Sequence, residues 1–198
     1  MFDFNFRQVD PYAQVGGGPG DDRWGRDAVM IVAARDRFDR ARRIAQSRRL
    51  LARIFRRPRD LLDLNRIHCS MSERHYAGVQ TVPIRNIVGS EGRCRDFDRD
   101  FLPLQPMLAQ RWISVFVAMV QGIAMPPVTL IRVGDVYFVR DGHHRISVSR
   151  MRGCDIIEAE VTVWNAKVDL PFSEAPAAAP AESLWRRPGR NDGPVTIP

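Results

Sequence analysis

Two short apolar runs, Val128–Val133 and residues 136–139, stand on either side of Gly134-Asp135. A two-residue link of this type between apolar segments specifies a β-hairpin, because glycine and aspartate tolerate the positive φ of the turn. No single long helix can occupy this stretch, so the chain must build a sheet. Helical spacing flanks the hairpin on both sides. Upstream, Leu108, Trp112, Val115, Met119 and Ile123 recur every three or four residues until Pro126-Pro127 stops the run. Downstream, residues 146–152 read as a short helix closed by Gly153. Ile157, Ala159, Val161 and Val163 then alternate with Glu158, Glu160, Thr162 and Trp164, the pattern of a half-buried strand. Residues 79–88 read as an earlier strand, which Pro83 confines to a sheet edge or a bulge. The fold class expected is α/β (α+β), a small domain of strands and helices.

The rest of the 198 residues divide around that domain. Gly16-Gly17-Gly18-Pro19-Gly20 and the absence of apolar periodicity make residues 1–26 a disordered N-terminus. From 27 to 57 the pattern is helical, with Ile31, Ala34, Phe38, Ala41 and Ala45 on one stripe and Leu51 and Phe55 beyond it. Pro58 ends that helix, and a short second one is expected through 60–64. We therefore expect an Arg-rich amphipathic segment over 27–66 and the α/β domain over 78–166. The last 28 residues hold 6 of the 14 prolines, so 170–198 reads as a disordered Pro/Ala-rich tail.

Charge is concentrated in the helical segment. Of 30 basic residues only Lys167 is a lysine, and between Arg23 and Arg66 there are 14 Arg against 5 Asp. That local balance of +9 exceeds the +7 of the whole chain, so the remainder is slightly acidic. A basic helix of this kind suits DNA through residues 23–66, a solvated or partner-binding face, a homodimer contact or an anionic membrane surface. The longest apolar stretch, 113–125, is interrupted by Ser114 and Gln121 and is too short to span a bilayer. The N-terminal residues lack a basic and an apolar signal region, and Cys69, Cys94 and Cys154 are scattered as reduced thiols are. A cytoplasmic protein without a transmembrane segment is expected.

The residues that carry chemistry are Asp141-Gly142-His143-His144-Arg145, between an expected strand and an expected helix. Backbone N–H groups and the helix dipole favour an anion at such a junction. Gly142 allows close approach of the backbone, and Arg145 offers a planar fork to phosphate oxygens. His143 and His144 can donate hydrogen bonds or shuttle protons. Asp141 can hold Mg²⁺ or accept a proton from an attacking hydroxyl. Alternatively, the stretch is a tight turn in which Asp141 pairs with Arg145.

From Val82-Pro83-Ile84 through Asp141-Gly142-His143-His144-Arg145 to Val161, the sequence resembles the N-terminal domain of the bacterial ParB chromosome-partition proteins, in the ParB/sulfiredoxin superfamily. The resemblance covers about residues 78–164 and implies a small α/β domain with a mixed sheet. It implies a nucleoside triphosphate, ATP or CTP, with Mg²⁺, held by Gly142, His143, His144 and Arg145. Sulfiredoxins carry Gly-Cys-His-Arg at this loop, and His143 stands where their catalytic cysteine does, which argues against sulfinic-acid reduction here. Free-serine kinases of the superfamily have a similar Asp-Gly-His loop, which would make Asp141 and His143 catalytic, with Glu91 a candidate base. No helix-turn-helix follows Trp164, so a centromere-reading clamp is not expected.

Outside the loop, Arg93 in the turn 89–93 is a further candidate for the ligand. Asp96, Asp98 and Asp100 read as N-terminal charges for the following helix. Trp112 reads as core. His68, Cys69 and His75 lack a fourth ligand at a zinc spacing. The function expected is a ParB-like nucleotide-binding, nucleic-acid-associated protein. The alternatives are a small-molecule kinase and a non-catalytic interaction protein.

Overall fold

The computed structural model describes residues 22–56, 59–66 and 70–167. Three helices, α1 (Asp22–Ile54), α2 (Ala109–Val120) and α3 (His143–Met151), accompany six strands. These are β1 (Leu62–Asp63), β2 (Ser70–Pro83), β3 (Ile87–Ser90), β4 (Val128–Val133), β5 (Val136–Asp141) and β6 (Ile156–Lys167). They form one mixed sheet in the order β1-β3-β5-β4-β6-β2. β1, β3 and β5 run parallel, β4 and β6 run parallel, and the β4–β5 hairpin and the β6–β2 pair are antiparallel. The expected α/β mixed sheet is therefore present, and β2 with its Pro83 is an edge strand.

Strand alternation sorts the apolar side chains between two cores. Val128 and Leu130 of β4, Val139 of β5 and Ala159, Val161 and Val163 of β6 face the helices. Ile131, Val133, Val136, Phe138 and Trp164 pack on the opposite side with Leu64 and Val88. Trp112 is fully buried under α1, with its ring edge against Phe38 at 5.7 Å and stacked on Phe116 at 5.6 Å. Its indole N–H donates to Ser147 Oγ at 2.9 Å, which ties α2 to α3.

The Arg-rich helix is part of this body. Ala34 and Phe38 enter the main core, while Ala41 and Ala45 pack with Leu102 and Leu104. Leu51 and Phe55, the outer members of the expected stripe, are exposed. Ion pairs add to the attachment. Asp100 accepts Arg48 and Arg150 at 3.1 Å each, and Arg59 as well. Asp98 turns the chain by accepting the N–H groups of Asp100 and Leu102. These acids serve the loop before α2, not its N-terminus as expected.

Other boundaries differ for reasons of long-range pairing. Residues 60–64 do not form a helix: Leu62 and Asp63 pair with Gly89 and Ser90, and a 3-10 turn follows at Leu64–Arg66. β2 begins at Ser70, before the expected 79, because β6 extends to Lys167 and pairs along its whole length. Gly89 and Ser90, expected in a turn, belong to β3. A Cβ at Gly89 would lie 2.5 Å from the Leu62 carbonyl oxygen, so glycine lets β1 and β3 approach. α1 begins at Asp22, inside the segment expected to be disordered. Residues 1–21 and 168–198, with the remaining expectations of disorder, lie outside the described residues, as do His68 and Cys69. Among the described residues no helix is long and apolar enough to cross a membrane.

Candidate anion-binding site

The hairpin delivers its second strand directly into α3. Gly142 is the N-cap, with φ +98°, a left-handed conformation that glycine alone adopts without strain. A Cβ there would also fall 2.5 Å from Val128 Cγ1, so packing and torsion both exclude a side chain. The first intrahelical bond runs from Ile146 N–H to Gly142 O at 3.0 Å. The N–H groups of His143, His144 and Arg145 precede it and have no intrahelical acceptor, and no side chain caps them. The helix therefore begins at His143, within the stretch expected as a loop.

Around this N-terminus lies a cleft lined by Arg93, Arg111, Val115, Pro126, Asp141, Gly142, His143, His144 and Arg145, with a cavity of about 100 Å³. Arg93 arrives from the turn after β3 and Arg111 from the first turns of α2. Three guanidinium groups meet one carboxylate here. Arg111 has no ion-pair partner among the described residues, and Arg93 has only a 3.4 Å contact with Asp96. Charge and helix dipole act in the same direction, toward an anion.

Arg145 is largely committed to the protein. Its Nη1 donates to the carbonyl oxygens of Pro126 and Pro127, and its Nη2 donates to Asp141 Oδ2 at 2.6 Å. The prolines leave those carbonyls free of a helical or ladder role, and Arg145 clamps them to α3. The alternative of an Asp141–Arg145 pair is thus realised, and Arg145 presents only part of its fork to the cleft. The residues freer to meet a ligand are Arg93 and Arg111.

The two histidines are neutral. Ser90 Oγ lies 2.7 Å from His143 Nε2 and accepts the N–H groups of Gly92 and Arg93 at 3.2 and 3.0 Å. With both lone pairs occupied, the hydroxyl donates to Nε2, and the ring proton sits on Nδ1. Burial and nearby Arg93 push His143 down to about 4, and burial and Arg111 push His144 down to about 3. His143 stacks on Phe97 at 5.9 Å, and His144 meets the same ring edge-on at 5.4 Å. Proton shuttling near neutral pH, one expectation for His143, is disfavoured by its burial and by the occupied Nε2. His144 Nδ1 is buried without a hydrogen-bond partner.

Glu91 does not join the cleft. It accepts both Arg140 Nε at 2.7 Å and Nη2 at 3.0 Å, and that bidentate pair holds its carboxyl below the usual range. Among the described residues no three His, Cys, Asp or Glu side chains converge as a metal cage. Asp141, the candidate Mg²⁺ ligand, is the one carboxylate among the described residues on the cleft, and it bonds Arg145. Sequence spacing did not place Ser90 or Arg111 in the site. Arg111 carries a signal only in hindsight of packing, since it precedes the buried Trp112 and must face away from the core.

No family model matches the chain, and no curated protein matches it. Among solved structures, the chain is similar to sulfiredoxin from Arabidopsis thaliana, at 18% identity over 42% of this chain and 82% of that one, with a TM-score of 0.31.

Proposed function

We propose that this chain binds a phosphate-bearing ligand of the nucleotide class, with phosphate oxygens seated on the N-terminus of α3. The observation that carries the reading is the uncapped first turn of α3 opening into a cleft of three arginines and one aspartate. The N–H groups of His143, His144 and Arg145 would hold one phosphate, as helix N-termini do. Arg93 and Arg111 would close on its outer oxygens. Gly142 provides the approach, and Arg145 keeps the Pro126-Pro127 wall in place. The ParB/sulfiredoxin-like motif supports the same reading through Gly142 to Arg145. Mg²⁺ would enter with the nucleotide.

Binding is favoured over phosphoryl transfer. The groups that a kinase would need as bases are engaged elsewhere: Asp141 with Arg145, Glu91 with Arg140, and His143 with Ser90. DNA contact through residues 23–66 is not part of the proposal, which rests on the α3 cleft alone.

Thermal melting with ATP, CTP, GTP and pyrophosphate, each with and without Mg²⁺, tests the site. Saturation at about a hundred times Kd adds roughly 2.7 kcal/mol, a shift of several degrees. The shift is expected for the wild type and lost in Arg93→Ala/Arg111→Ala, whose own melting without ligand stays near that of the wild type. No shift with any of these ligands, from a protein that melts cooperatively, overturns the proposal. Turnover of ATP dependent on a hydroxyl substrate would restore the kinase.

A further inference from the structure

α1 has a second apolar face, and the domain does not cover it. Leu50, Leu51, Ile54 and Phe55 are 61, 52, 65 and 69% exposed, and Val29 and Val32 are exposed two helical turns beyond the middle of the same side. At 100° per residue, Val29, Val32, Asp36, Arg43, Leu50 and Ile54 fall on the side opposite the buried Ala34, Phe38, Ala41 and Ala45, with Asp39, Arg40 and Leu51 at its flanks. Phe55 continues the final turn through its N–H bond to Leu51 O at 2.9 Å. From Arg40 to Arg59 there are 9 Arg and no acidic residue. Arg48 and Arg59 share the half-buried Asp100, and Arg49 pairs with Asp60 at the surface. Arg40, Arg43 and Arg53 have no ion-pair partner among the described residues. The outward end of α1 thus combines four large apolar side chains with uncompensated positive charge.

We propose that this face docks the protein on an anionic lipid surface, α1 lying in the interface with Leu50, Leu51, Ile54 and Phe55 inserted among the acyl chains. Charge complementarity selects the occupant. A DNA backbone accounts for the arginines and leaves four exposed apolar side chains beside it without a role. A second copy packed face to face would bring Arg40 and Arg43 toward their own equivalents, with only Asp36 and the Arg35-bound Asp39 beside them. An anionic bilayer takes both components, apolar side chains below the headgroups and guanidinium groups at their level.

Co-sedimentation of the full chain with vesicles tests the proposal, using phosphatidylcholine alone and phosphatidylcholine with one-third phosphatidylglycerol. The wild type is expected to partition about tenfold or more in favour of the anionic vesicles. The surface variant Leu50→Ser/Leu51→Ser/Ile54→Ser/Phe55→Ser loses that partition, and Arg40→Ser/Arg43→Ser loses the preference for anionic lipid. Both variants change exposed or half-exposed positions and retain the far-UV spectrum and cooperative melting of the wild type. Three results overturn the proposal. One is a wild type that stays in the supernatant with both vesicles. Another is a four-site variant that sediments like the wild type, which assigns the face to charge alone. The third is a wild-type dimer that the four-site variant converts to monomer without any vesicle binding.

Discussion

The Ser90 hydroxyl donates to His143 Nε2 across 2.7 Å, while its oxygen accepts the N–H groups of Gly92 and Arg93. One buried side chain thereby joins the end of β3, the turn carrying Arg93 and the first residue of α3. Its geometry fixes the His143 tautomer and the position of Arg93 together.

Ser90→Ala removes all three bonds and leaves two backbone donors and a ring nitrogen unpaired. Burial of unsatisfied groups costs about 1–3 kcal/mol each when water cannot reach them, so a loss of roughly 2–4 kcal/mol is expected in urea denaturation. Ligand affinity at the cleft should fall as well, because Arg93 loses its backbone anchor. Unchanged stability would show that Ser90 is not the joint described.

The pH dependence of stability follows from three buried groups. His143 and His144 are lowered to about 4 and 3, so between pH 6.5 and 4 the unfolded chain binds protons that the native state refuses. Stability therefore falls as pH drops through this window. Asp98, raised to about 6 chiefly by burial, acts oppositely: below pH 6 the native state takes up a proton before the unfolded state does. For these three groups, denaturation near pH 5 should take up a net of about one proton in the wild type. In Asp98→Asn, which keeps the Oδ1 acceptor, the figure rises to about two, read from the steeper dependence of the melting free energy on pH.

Gly142→Ala tests the cap. A left-handed φ and the 2.5 Å approach to Val128 both oppose the new methyl group. A destabilisation of about 2–4 kcal/mol is expected from the strain of the two together, measured by chemical denaturation. Gly134→Ala, at φ +61° but with open space around the added Cβ, should cost only about 1 kcal/mol.

Asp100 serves Arg48, Arg59 and Arg150, and it and Arg150 are each less than one-fifth exposed at the side chain. Asp100→Asn leaves these cations without a counter-charge and is expected to cost about 2–4 kcal/mol. Arg35→Ala, which breaks an exposed pair with Asp39, should change the denaturation midpoint by no more than about 0.5 kcal/mol. Equal effects from the two variants would refute the assignment of Asp100 as the attachment of α1.

Local periodicity determined the elements whose residues interact with near neighbours. The Val128–Val133 and Val136–Asp141 hairpin, the helix through Trp112, the helix after Gly142 and the alternating strand through Val161 were all legible, because each pattern repeats within one element. So was the strand-to-helix junction at Asp141 to Arg145, since strand, glycine and helix follow each other along the chain. Tertiary structure decided what the spacing left open. Leu62 and Asp63 became a strand because Gly89 and Ser90 lie beside them, and residues 70–78 became one because β6 was there to pair. Ser90 met His143, Arg111 reached the cleft from α2, and Pro126 and Pro127 took up Arg145. Such meetings depend on which strands are adjacent in the sheet, a relation between distant residues that no short-range period encodes.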